Sequence, residues 1–120
     1  MYTIYHNPRC SKSRQTLAII NENNVDVKII KYLADPPTAK ELEHISEKLA
    51  ISPMDFIRKK ESEFTALGLS HYSGSDSELC EIMSKNPKLI ERPIVVKGDR
   101  AIIGRPPENV LELFLLYVKV

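Results

Sequence analysis

The segment TIYHNPRCSKSRQT, residues 3–16, places one thiol, Cys10, among Arg9, Lys12 and Arg14, with no carboxylate before Glu22. Such surroundings favour a thiolate over a thiol. A free cysteine ionises near pH 8.5, so only a few per cent of it is nucleophilic at neutral pH. The apolar run YTIY stops at the turn HNP, and a helical pattern with Leu17 and Ile20 three apart follows Cys10. Cys10 therefore falls where a first strand gives way to a first helix. The opening N–H groups of a helix lack partners, and its dipole leaves roughly half a positive charge there. Each pH unit by which a thiol is lowered requires about 1.4 kcal/mol. A helix end alone supplies about 0.3–1 kcal/mol, so other groups must help. The nearest in sequence are Arg9, Lys12, Arg14 and the imidazole of His6, with the Ser13 hydroxyl as a donor to the sulfur. The plain alternative, a small residue in a turn, fits poorly, because structural cysteines prefer apolar company.

Two familiar thiol chemistries fail on spacing. A phosphatase loop needs an arginine six positions after the cysteine, and Arg14 comes after four. A dithiol centre needs Cys-x-x-Cys, and Ser13 occupies the second position. Cys10 must therefore finish any reaction with Cys80, with a thiol from elsewhere, or with none. Cys80 lies in an amphipathic pattern beside Leu79 and Met83 and reads as a packing residue. Three further arginines, Arg58, Arg92 and Arg105, stand at element boundaries, the last two directly before Pro93 and Pro106. Guanidinium forks bind tetrahedral oxyanions through paired donors, yet a single surface arginine is ordinarily just solvated. His44 and His71 have no ligand-like spacing. Tyr32, Phe64 and Tyr72 read as packing residues, and RKKESE as a solvated face, Arg58 excepted. With two cysteines and no C-x-x-C, no metal site is expected.

The elements that must position these residues follow from periodicity. VDVKIIK, residues 25–31, alternates as a second strand and is closed by ADPP. Thr38 with Glu41 forms a capping box ahead of Leu42, Ile45 and Leu49. Ser52–Pro53 opens a short helix carrying Phe56 and Ile57. Residues 59–77 are polar and irregular, after which Ser75 and Glu78 form a second capping box before Leu79, Ile82 and Met83. PIVV and AIIG flank KGDR as a hairpin turning at Gly98–Asp99. RPPEN opens a last helix with Val110, Phe114 and Tyr117 in register. The reading is α/β: a four-stranded mixed sheet in one domain, 1–120, with a helical insertion over approximately 34–90 between the second and third strands.

The chain has 120 residues, 42% of them apolar, and its 17 basic and 16 acidic side chains nearly cancel. That balance suits one domain and argues against a nucleic-acid partner. MYTIYHNPRC leaves no room for a signal-peptide core, and no apolar run is long enough for a membrane span. A reducing cytoplasm is the expected setting for so few thiols.

YHNPRCSKSRQTL, YLADPPT, IRKKE, ERPIVV and IIGRPPENVL together resemble the glutaredoxin-linked arsenate reductase family. The resemblance runs along essentially the whole chain, in family order, without the longer tail of some members. It implies a thioredoxin-like fold. It implies that Cys10 is the nucleophile attacking arsenate, and that Arg58, Arg92 and Arg105 hold the oxyanion. It further implies that His6 tunes the thiol, that Asn7, Ser13 and Arg14 share its loop, and that Pro93 is a cis-proline. Glutathione as co-substrate and glutaredoxin as partner are implied, with no bound cofactor; a monomer is expected. Two alternatives stay open. One is a glutathione-linked thiol oxidoreductase with another substrate. The other is a regulator docking on RNA polymerase, whose usual two-cysteine switch Ser13 would break.

Overall fold

The computed structural model describes residues 1–115, and it groups the chain into two compact units, Met1–Tyr32 with the segment from Arg92 onward, and Leu33–Glu91. The first unit holds the sheet. Its elements are β1 (Tyr2–His6), α1 (Ser11–Glu22), β2 (Val27–Lys31), and, beyond the second unit, the strands β3 and β4. These span Ile94–Lys97 and Arg100–Ile103, and a 3-10 turn over Pro107–Val110 leads into a helix at Leu111–Leu115. The strand order is β2-β1-β3-β4, with β1 parallel to β2 and antiparallel to β3. This is the mixed four-stranded sheet expected from the sequence.

One face of the sheet carries the core of this unit. Tyr2, Ile4 and Val95 meet Ile20 of α1 and Val110 and Leu113 of the C-terminal segment. Burying each such aliphatic side chain contributes about 1.5–3 kcal/mol. His6 shares the parity of Tyr2 and Ile4 along β1, so the pleat aims it at the same face and at the start of α1. Gly98 takes φ +61° in the β3–β4 turn, a conformation costly for any residue with a Cβ. β2 begins at Val27 rather than Val25, because its first partner, Tyr2, is where β1 begins. Tyr117 lies outside the described residues.

The second unit is helical. Both capping boxes are present: Thr38 opens Ala39–Leu49 and Ser75 opens Asp76–Lys85. Between them lie the short helix Ser62–Ala66 and 3-10 turns at Pro53–Phe56 and Leu69–His71. In chain order these helices are α2 (Ala39–Leu49), α3 (Ser62–Ala66) and α4 (Asp76–Lys85), and the terminal one is α5 (Leu111–Leu115). The α3 and Leu69–His71 turns fall in the stretch that reads as irregular in sequence. Leu42, Ile45, Phe56, Phe64, Leu79, Cys80 and Met83 are buried. An antiparallel bridge joins Ile57 to Ile90. No helix among the described residues is long and apolar enough to cross a membrane.

Candidate active site

The strand registers, continued past their last paired rows, assemble one end of the sheet. His6 pairs with Lys31, so the next residues along the parallel strands, Asn7 and Tyr32, lie side by side. Tyr5 pairs with Ile94, which two residues further sets Asn7 beside Arg92. Ile94 pairs with Ile103, and the Gly104 N–H donates to the Pro93 carbonyl at 2.9 Å. The chain then turns, the Arg105 N–H donating back to the Ile103 carbonyl at 2.9 Å, and Arg105 meets Arg92 through its side chain. Tyr32, Asn7, Arg92 and Arg105 thus gather in one row just past the ends of the four strands. The Arg92–Pro93 bond is cis, as the resemblance implies, and so is Arg105–Pro106.

Cys10 sits over this row at the N-cap of α1, with φ −93° and ψ 122°. Its N–H donates to the Asn7 carbonyl at 3.0 Å, and its own carbonyl accepts from Arg14 N–H at 3.0 Å, the first helical bond. Arg105 Nη1 lies 3.8 Å from Cys10 Sγ and donates to the Arg92 carbonyl at 3.2 Å. Burial pushes the thiol up, but the Arg92 guanidinium and the backbone N–H groups of Ser13 and Lys12 outweigh it, so Cys10 ionises below the ordinary thiol range. The helix-end argument therefore holds through particular amides, joined by an arginine more than eighty residues away in sequence.

The loop cations act differently from the sequence expectation. Arg14 is exposed and donates to the Pro8 carbonyl at 2.9 Å, bracing the loop. Arg9 is exposed too, and its N–H caps the Asn7 Oδ1 at 3.0 Å. The Ser13 hydroxyl does not serve the sulfur. It lies 2.6 Å from His6 Nδ1 and accepts the Asn7 N–H at 3.1 Å, so it ties β1 to α1. His6 is buried, and burial, followed by the charges of Lys31 and Arg14, lowers its pKa. A neutral imidazole thus holds Ser13, which orients the helix start. Thr16, also buried, donates to the Lys12 carbonyl at 2.8 Å and approaches the Gly104 carbonyl at 3.4 Å. A Cβ on Gly104 would run into the Thr16 hydroxyl and stand 2.9 Å from Pro93 Cγ, so glycine lets the loop before Arg105 close onto α1.

Arg58 belongs to the second unit. It follows Ile57 of the isolated bridge, its N–H donates to the Leu89 carbonyl at 2.7 Å, and its guanidinium pairs with Glu61 at 3.4 Å and Glu91 at 3.8 Å. Cys80 is fully buried in α4, and burial, then Glu43 and Asp76, push its thiol up to about 11. Tyr32, which reads as a packing residue in the sequence, is fully buried at the end of the row. It opens the segment YLADPPT, but nothing in its type or spacing marks it as a site residue, because its neighbourhood is created by strand register. Among the described residues, no group of three or more histidine, cysteine or acidic side chains is placed to hold a metal ion.

A cysteine at a helix start, with the guanidinium groups of Arg92 and Arg105 beside its sulfur, directs attention to oxyanion-handling thiol enzymes. The family model described as the ArsC family matches residues 5–113. The chain belongs to the ArsC family. It is 47% identical over 111 residues to the uncharacterized protein YfgD of Escherichia coli (strain K12), covering 92% of this chain and 93% of that one. It is 44% identical over 111 residues to an arsenate reductase of Haemophilus influenzae, covering 92% and 96% respectively. The solved structure of an arsenate reductase from Vibrio cholerae superposes with a TM-score of 0.89 at 44% identity, covering 92% of this chain and 95% of that one. The fold is accordingly the thioredoxin-like α/β fold of ArsC structures.

Proposed function

We propose that this ArsC-family chain reduces arsenate to arsenite, with Cys10 as nucleophile and glutathione and glutaredoxin as the source of electrons. One observation carries the reading: a half-buried thiol is held below its ordinary pKa by Arg92 and two helix-start amides, with Arg105 Nη1 a further 3.8 Å from the sulfur. A group that favours negative charge on sulfur also favours an anion arriving beside it. Arsenate, like phosphate, carries roughly −1.5 to −2 charge at neutral pH.

In this scheme the Cys10 thiolate forms an S–As bond, an As–O bond breaks, and the oxygen leaves as water once protonated. A glutathione thiolate then attacks Cys10 Sγ. The S–As electron pair stays on arsenic, which becomes As(III) and departs as arsenite, leaving a Cys10–glutathione disulfide. Glutaredoxin thiols accept the glutathionyl group and restore Cys10. The state of Cys80 supports an external resolving thiol, since a buried sulfhydryl pushed up to about 11 makes a poor attacking group. Arg58 enters as the third oxyanion ligand on the family resemblance alone, and the cytoplasm, as a glutathione-rich compartment, is the matching location.

The test is arsenite formation with glutathione and glutaredoxin. Wild type should turn over and Cys10→Ser should not, while omission of glutaredoxin should trap Cys10 as a glutathione mixed disulfide visible by intact mass. No arsenite from wild type would refute the substrate. Full turnover without glutaredoxin would refute the proposed route of electrons.

A further inference from the structure

The row that ends in Arg92 and Arg105 begins with a group that the reading above does not use. Tyr32 is fully buried, and its hydroxyl is sealed from solvent without completing a hydrogen bond to any described residue. Leaving a buried hydroxyl in that state is costly, and native structures rarely tolerate it without a reason. By register Tyr32 is adjacent to Asn7, and Asn7 to Arg92. Arg92 and Asn7 stand close enough to favour the ionised form of the phenol, and a Cys10 thiolate close enough to disfavour it, although burial is the dominant influence and keeps the hydroxyl protonated. Hydrogen bonds in catalytic sites are commonly long or misaligned before substrate binds and tighten afterwards.

We propose that Tyr32 is a positioning residue for Arg92, its hydroxyl accepting from the guanidinium when that group turns to hold an oxyanion beside Cys10. The inference rests on the oxyanion-binding reading given above and adds a residue to it. A bound oxyanion would take one edge of the guanidinium, and the phenol would accept from another N–H of the same group. In the free protein the same hydroxyl completes no bond to a described residue, so removing it should not cost stability.

The experiment uses Cys10→Ser protein, which cannot turn over, and measures arsenate binding by calorimetry to millimolar concentration, with thermal melts alongside. Tyr32→Phe removes one oxygen and keeps the ring. It should weaken arsenate binding about tenfold, the usual worth of a hydrogen bond to a charged group. The melting temperature of the ligand-free protein should be unchanged or raised, while the rise produced by saturating arsenate should shrink. In an Arg92→Ala background the same substitution should change affinity less than about twofold, since the two residues act as one unit. Equal losses in both backgrounds would overturn the proposal, as would unchanged affinity. So would a lowered ligand-free melting temperature with an undiminished arsenate effect, the mark of a purely structural hydroxyl. Absence of arsenate binding by the Cys10→Ser parent would instead overturn the oxyanion-binding reading, and this inference with it.

Discussion

Replacing Arg105 by Gln should make Cys10 harder to ionise. The guanidinium Nη1 lies 3.8 Å from Sγ, and Arg105 is exposed, so the attraction is judged with a water-like dielectric. Two unit charges about 4 Å apart then interact by about 1 kcal/mol. Losing that energy lowers the thiolate-to-thiol ratio at a fixed pH about fivefold, since 1.4 kcal/mol corresponds to tenfold. Alkylation of Cys10 by iodoacetamide, followed against pH in a Cys80→Ala background, reads the ratio directly, because only the thiolate reacts. The variant should react several-fold more slowly at neutral pH and converge with wild type in alkaline solution. The gap should narrow in 1 M salt, where the screening length is about 3 Å. Arg105→Lys should retain most of the wild-type rate, since a charge near the sulfur suffices for this property. A pH–rate profile identical to wild type, or a gap indifferent to salt, would refute the electrostatic argument for Arg105.

Ser13→Ala leaves the buried His6 ring and the Asn7 N–H without their shared partner, and should cost about 1–3 kcal/mol in urea unfolding. Gly104→Ala drives a methyl group into Thr16 and Pro93 and should destabilise by about 1–3 kcal/mol, with partial recovery in Gly104→Ala/Thr16→Ala. Because the folded Cys10 thiol ionises below its unfolded value, the unfolded chain binds more protons between the two pKa values. Stability of wild type relative to Cys10→Ser should therefore rise with pH from the folded pKa up to the ordinary thiol range, and fade as pH falls through the folded value, as measured by chemical denaturation. Cys80→Ala should leave arsenite formation intact.

The sequence makes the chemistry of residues 3–16 visible because a strand, a turn and a helix start are local events. Cys10 at the N-cap follows from YTIY, Pro8 and the period of Leu17 and Ile20. Both capping boxes are equally local and both are present. The short α3 helix is invisible because five residues cannot display a 3.6-residue period. The source of the lowered thiol is harder to see, since Arg9, Lys12 and Arg14 sit nearest in sequence while Arg92 does the principal work through strand pairing. Ser13 shows the same limit: its spacing from Cys10 suggests a donor to sulfur, but His6, aimed inward by the pleat, reaches its hydroxyl first. Tyr32 comes beside Asn7 and Arg92 only when the registers of two strand pairs are laid side by side.

The most direct test of the account is an NMR titration of protein labelled at the cysteine Cβ carbons, which follows both thiols in one sample. Cys10 should ionise below the range of a free cysteine, while Cys80 remains a thiol until about 11. A Cys10 signal that shifts only at or above the free-cysteine range would contradict the claim that this fold prepares a thiolate for an incoming oxyanion.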